Sequence, residues 1–509
     1  MKRLLTITCM LCAALQFVVA QRPISHFLDI QGTLTQDYKL IDQTVLKKGT
    51  PIVVQFITRL KKVNNGDTPY QAIIVANGKQ LYMPLMDIEE HFQAGKLSKN
   101  QFWQLAQLPL AKHYTQDDNS KLKREQIQDA EKYIEEFEKS ELFYNDEALE
   151  DYLQCLILEI TPDKHAFQQL SMQQPLVRIV KSAEPDLMML SNNTLLITTG
   201  LLTALDTEEE LIALLSREVC HYLLDHSLIQ LKRNFARMNR SMFWNHMGEI
   251  IAIAADNYLY ERYDYYVPGM AFVAKDLVQG LINLNVDKQL GMDYSKSQEI
   301  EADNYALRFL ENEGYNPQAL CSALHKVKEK YLNDKGSGAL TRYGKHSTLL
   351  DRLNEMGQPQ PMPEDRKYLK TIMSVVSYEA VMHDYYKDYT NSQRLAMKNI
   401  NHSLGTSDDY LMVARSIMKQ SNTPASNAEC QLYLDKSDIL SETENVNITK
   451  MRILLLLREN KQVEATEQLK KYKQLLNIMY QQPSGLEDGE WIRDEFEWAD
   501  QQLERIYTL

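Results

Sequence analysis

Between residues 30 and 90 the apolar positions come in short β-branched and aromatic runs, TPIVVQFITRL and YQAIIVANGKQLYMPL, broken by NNGD and ANGK. Such runs favour strands, and Asn-Gly is the strongest short hairpin signal. The pattern predicts a small SH3-like β module over residues 21–110, suited to docking rather than catalysis. The following stretch, DDNSKLKREQIQDAEKYIEEFEKSEL, is charged and helix-forming. It predicts a helical linker over 111–140, or the opening helix of the next unit. From 141 to 362 the pattern mixes. NDEALEDYLQCLILEI has helical amphipathicity, LVRIVKS, DLMMLSN and TLLITTG read as strands of a small sheet, and long helices follow.

Over residues 363–509 the pattern is helical throughout. NITKMRILLLLRENKQVEATEQLKKYKQLLN reads as two helices around a polar break, with small Ala465 where paired helices approach closely. SDDYLMVARSIMKQSNTPASNAECQLYLDKSDIL has a similar rhythm. Tetratricopeptide-like helical repeats are expected, the alternative being an irregular bundle. The fold class is therefore α+β, mainly α.

Charge narrows the partners. The 509 residues carry a net charge of −13 with no long basic run, which disfavours nucleic acid or an anionic lipid surface as main partner. MKR, the apolar LLTITCMLCAALQFVVA and Val18-Val19-Ala20 before Gln21 have the layout of a cleaved signal peptide over 1–20, with a membrane anchor as the alternative. An exported, periplasmic or secreted protein is expected. Cys9 and Cys12 lack the small residues that precede a lipid-attachment cysteine. The later Cys155, Cys220, Cys321 and Cys430 are too widely spaced to suggest a disulfide framework.

Candidate chemistry lies in LLSREVCHYLLDH, residues 214–226. Thr207 and Glu210 are spaced as a capping box before it. Positions 217 and 221 are four apart and share one helix face, as two zinc ligands in H-E-x-x-H must. His221 and Glu218 fit that pattern, but Arg217 stands where the first histidine belongs. A second helix is predicted in YSKSQEIEADNYALRFLENEGYNP, with Ser295 and Gln298 as its capping box and Gly314 near its end. Glu299 and Asp303 are again four apart. One could ligate a metal while the other orients a histidine, or both could simply suit the helix dipole.

Together these phrases resemble the HtpX-like and CAAX-prenyl-endopeptidase family of zinc metallopeptidases. LLITTGLLTALDTEEELIALLSREVCHYLLDH is similar to its strand, G-L-L and H-E-x-x-H stretch, and EIEADNYALRFLENEGYNP to its E-x-x-x-D helix. KHSTLLDRL resembles a further family phrase through His346 and Arg352. The resemblance implies Zn²⁺ as cofactor, His221 and Glu299 as ligands and Glu218 as general base. Asp303 and Arg352 would stand behind the ligands, and His346 would approach the metal from a mobile loop. It also implies that Asp186-Leu187-Met188, where family members usually read Asn-Ala-Phe, forms an edge strand along which substrate lies extended. Arg217 cannot fill its ligand position, because a guanidinium has no free lone pair and stays charged.

Arg217 invites a different expectation. Near Glu218 and Glu299 it would supply fixed positive charge in place of a metal, buried and tying the two helices together. That arrangement implies a pseudoprotease acting as chaperone or adaptor on envelope proteins, since secreted family members with such repeats serve envelope quality control. One alternative is an active zinc endopeptidase using His221, Glu299 and His346. Another is a repeat-based scaffold for polypeptide partners. Cys220 reads as a structural buried thiol. The tyrosine-rich NYLYERYDYYVPGMAF lies within the stretch 241–285, which is expected either to pack in the core or to make a lid or peripheral membrane contact.

Overall fold

The computed structural model describes residues 25–40, 43–59, 70–107, 119–163, 175–233, 240–258, 263, 265–266, 289–335, 349–481 and 486–508. The signal-peptide stretch, the NNGD break and His346 lie outside the described residues.

The N-terminal part is built on β1 (Ser25–Leu34), β2 (Tyr38–Lys39), β3 (Val45–Leu46), β4 (Pro51–Arg59), β5 (Tyr70–Ala76) and β6 (Lys79–Pro84). Short α1 (Leu85–His91), β7 (Phe92–Ala94) and α2 (Lys99–Ala106) follow. An antiparallel five-stranded sheet has the order β6-β5-β4-β1-β7. Ala72, Ile74 and Ala76 alternate inward on β5, the period of two that a strand imposes. The ANGK turn joins β5 to β6 with φ of 51° at Asn77 and 72° at Gly78, the left-handed pair that a tight hairpin requires.

The middle part comprises α3 (Asn119–Lys139), α4 (Glu147–Ile160), β8 (Leu176–Val180), β9 (Leu187–Met189), β10 (Thr194–Thr198), α5 (Thr199–Ala204) and α6 (Glu208–Leu223). It continues through α7 (His226–Arg233), α8 (Arg240–Tyr258), α9 (Lys296–Glu313), α10 (Gln318–Lys335) and α11 (Leu349–Met356). Its sheet has the order β8-β10-β9, with β10 parallel to β8 and antiparallel to β9. Among the described residues β9 is thus an edge strand, and it packs against α6. α3 is more than a connector: Tyr133 and Phe137 pack with Phe243, Trp244 and Met247 of α8.

Residues 366–508 form α12 (Arg366–Thr371), α13 (Met373–Tyr385), α14 (Tyr389–Asn401), α15 (Ser407–Gln420), α16 (Pro424–Leu440), α17 (Val446–Arg458), α18 (Gln462–Gln481) and α19 (Leu486–Thr508). From α13 onward each helix packs on the next, and α13 also touches α15, as α15 touches α17. Ala465 is fully buried in this array. The array shares one core with the middle part and with α2: a continuous apolar cluster runs from Phe102 to Leu455. Polar ties reinforce it, from Thr199 Oγ1 to Glu379 at 2.5 Å and from Lys398 Nζ to the Thr203 and Leu205 carbonyls at 2.9 and 2.8 Å. No described helix is long and apolar enough to cross a membrane.

Candidate functional site

Two capped helices carry the site. The Thr207 side chain takes the Glu210 N–H while Glu210 reaches back to Thr207, so α6 starts where its sequence says it should. Ser295 and Gln298 do the same for α9, and Gly314 ends it in the left-handed conformation, φ 87°. α6 packs against α9, α10, α4 and β9. Arg217, Glu218 and His221 are all buried on it, and Glu299 and Asp303 are buried on α9.

The side chains form a dense ionic cluster. Arg217 donates from Nη2 to Glu299 Oε2 at 2.5 Å and from Nε to Asp303 Oδ1 at 2.6 Å. Glu218 Oε1 stands 3.9 Å from Arg217 Nη1, a looser ion pair. Arg352, buried on α11, grips the same two acids: Nε to Asp303 Oδ2 at 2.6 Å, Nη2 to Asp303 Oδ1 at 2.8 Å and Nη1 to Glu299 Oε2 at 2.7 Å. Two guanidiniums therefore lie across two carboxylates, and the fork geometry of arginine makes this possible. Burial by itself disfavours the Arg217 cation, but Asp303, Glu299 and Glu218 outweigh it and hold the guanidinium above its already high ordinary value.

Two expectations change here. Asp303 does not orient His221; both its oxygens are taken by arginines. Arg352, expected to stand behind the ligands, joins the cluster directly. His221 instead stacks on Tyr294, ring centroids 3.9 Å apart, and its Nδ1 lies 2.9 Å from His226 Nδ1. His226 in turn faces Glu301 at 3.3 Å. Neither Tyr294 nor His226 was singled out from sequence. His226 ends the stretch 214–226, yet nothing in its spacing distinguishes a ring partner from a surface residue. Cys220 is fully buried, and burial pushes its thiol well above the ordinary value, as a structural cysteine requires.

A catalytic zinc normally has three protein ligands and an open position. His221 and Glu299 would supply two, and Arg217 supplies none. Glu299 Oε2 already accepts from both guanidiniums. Among the described residues no group of three or more His, Cys, Asp or Glu could hold a metal ion. A dication beside Glu299 would also meet two fixed positive charges. The described residues do not fit zinc.

Arg217, Glu218, Glu299 and Arg352 line a cleft with Leu187, Met188, Leu214, Met292, Leu324 and Val327 among its apolar walls. The β9 edge forms one side. Thr198 N–H bonds Asp186 O and Leu190 N–H bonds Thr194 O, so alternate residues of the strand face β10. Leu187 lies out of phase with them and turns its N–H to the open edge. There the Asp186 carboxylate accepts it at 2.9 Å.

Residues 147–371 match the sequence profile of Peptidase family M48. A comparison with curated protein sequences finds no match. The matched segment runs from α4 through α12 and contains the whole ionic cluster. Over this segment the chain is metallopeptidase-like.

Proposed function

We propose that this protein is an exported pseudoprotease that holds extended polypeptides in its cleft without hydrolysing them, as a chaperone or adaptor in envelope protein quality control. One observation carries the reading: Arg217, at the position of a metal-binding histidine, is buried and bonded to Glu299 and Asp303. It supplies charge where a metal would, and it does so permanently. The β9 edge and the apolar walls are the parts that grip a polypeptide, because an extended chain adds to a sheet edge through main-chain hydrogen bonds while side chains fill pockets. The leader-like N-terminus and the resemblance to secreted quality-control peptidases support the envelope setting. The C-terminal helices share a core with the cleft domain, which favours one working unit over an independent scaffold.

The test uses the full mature chain purified with zinc present. Zinc content, cleavage of an unfolded protein and binding of that protein are measured for the parent, Glu218→Gln and Met188→Glu. The expected result is far less than one zinc per chain, no cleavage by any variant, and binding weakened by Met188→Glu alone. Stoichiometric zinc that His221→Ala removes, with cleavage that Glu218→Gln abolishes, would establish the active endopeptidase instead. The presence of Glu218 in the cleft lining is the observation that keeps this second reading worth testing.

A further inference from the structure

The tyrosine-rich stretch between α8 and α9 reaches the C-terminal array at Tyr263, Tyr265 and Tyr266, and four alternate helices of the array hold it. From α13, Asp384 accepts the Tyr263 hydroxyl at 2.7 Å. From α15, Arg415 donates to the same Asp384 oxygen at 2.7 Å and lays its guanidinium 5.5 Å from the ring centres of both Tyr263 and Tyr265. From α17, Asn447 accepts the Tyr266 N–H at 2.8 Å and donates to the Tyr266 carbonyl at 2.7 Å. From α19, Trp491 packs on the Tyr266 ring at 4.9 Å.

The chemistry of this contact is that of ligand recognition. A carboxamide that pairs with both backbone groups of one residue grips an extended chain whatever its side chain, since every backbone N–H and C=O needs a partner. Arg415 and Trp491 add sites that prefer aromatic rings. The contributing helices are α13, α15, α17 and α19. In an array of helix pairs, alternate helices line one shared face, and such faces bind peptides. Asp384 and Arg415 are buried as a pair beneath the tyrosines, and their 2.7 Å bond holds the two side chains in place for the rings.

We propose that this face of the C-terminal array is a peptide-binding surface occupied in cis by the segment carrying Tyr263, Tyr265 and Tyr266. The external ligand class that competes for it is a tyrosine-bearing polypeptide able to bend as this segment does at Tyr265. The proposal stands independently of whether the cleft hydrolyses anything.

The experiment compares the full chain with the triple variant Tyr263→Ala, Tyr265→Ala, Tyr266→Pro, in which proline also removes the N–H that Asn447 accepts. The probe is a fluorescent synthetic peptide of the chain's own sequence LYERYDYYVPGM, followed by anisotropy. The triple variant should bind it saturably and at least about tenfold more tightly than the parent, whose surface is filled. Adding Asn447→Ala should weaken that binding about tenfold, the scale of two lost hydrogen bonds. A folded triple variant that binds no better than the parent overturns the proposal, as does binding indifferent to Asn447→Ala. If the triple variant does not fold, Asn447→Ala alone decides through limited chymotrypsin digestion. Cleavage after Tyr263, Tyr265 or Tyr266 should quicken several-fold while the rest of the array stays intact. Cleavage at the parent's rate overturns the proposal.

Discussion

Arg217 Nη2 lies 2.5 Å from Glu299 Oε2, joining α6 to α9. The bond is a charge-assisted one between two buried side chains. The Arg217 charge cannot be removed by a chelator or by any working pH, so this joint between the two helices persists under both.

Arg217→Ala should destabilise the fold. Breaking a buried ion pair costs about 3–5 kcal/mol. Arg352 still holds both carboxylates, so a loss near the lower end, roughly 3 kcal/mol, is expected. Urea denaturation measures it. A variant with the parent's midpoint would show that Arg217 contributes no stabilising charge.

Arg217→His restores the H-E-x-x-H ligand set. Zn²⁺ should then raise the melting temperature, since a ligand of the native state stabilises it by mass action. The rise should be small while Arg352 occupies Glu299 Oε2 and larger when Arg352→Gln is added. Thermal melts with and without zinc compare the two. An equal or absent rise in both would mean that Arg352 does not compete for the ligand.

Asp186→Ala should strengthen binding of an extended polypeptide to the cleft. Asp186 Oδ1 now satisfies the Leu187 N–H at the open edge. Removing it leaves a main-chain donor for the bound chain, a gain on the order of a few-fold. Equilibrium titration with an unfolded protein gives the ratio, and weaker binding would place the polypeptide elsewhere.

Gly200→Ala should be poorly tolerated. A Cβ there would run into the Ala183 and Ser182 backbone, and backbone cannot swing aside. Overpacking typically costs about 1–3 kcal/mol. A melting temperature equal to the parent's would mean that the α5 start can shift away.

Acid stability should depend on Asp206, which bonds Lys326 at 2.6 Å and Lys398 at 2.7 Å just before α6. Burial tends to raise its pKa, but the two lysines outweigh burial and hold it below the ordinary value. An unfolded aspartate titrates near about 3.9, so the Asp206 contribution is present above that pH and disappears as pH falls through the lower folded value. Asp206→Asn should therefore flatten the acid loss of stability below about pH 4. An acid limb identical to the parent's would assign that loss to other carboxylates.

The local patterns in the chain were sufficient for the elements that carry the site. Capping boxes at Thr207 and Ser295, the left-handed end at Gly314 and the Asn77-Gly78 hairpin are short-range effects written in adjacent residues. The spacing of Arg217 and His221 on one face and of Glu299 and Asp303 on another is equally local. The resemblance of 147–371 to a peptidase family was legible for the same reason, since its phrases are contiguous.

Which side chains meet was decided by tertiary packing. Asp303 could have oriented a histidine; it is held instead by arginines from α6 and α11, because those helices converge on α9. Tyr294 and His226 acquire their roles only because α7 and the turn before α9 fold against α6. The tyrosines of the insertion read as core, with a lid or membrane contact as the alternative, and α13, α15, α17 and α19 line up to hold them. A sequence determines hydrogen bonds among residues a few positions apart, where chain geometry leaves few choices. It does not by itself determine which distant charge wins a buried carboxylate, because that depends on burial and on every other charge that arrives with it.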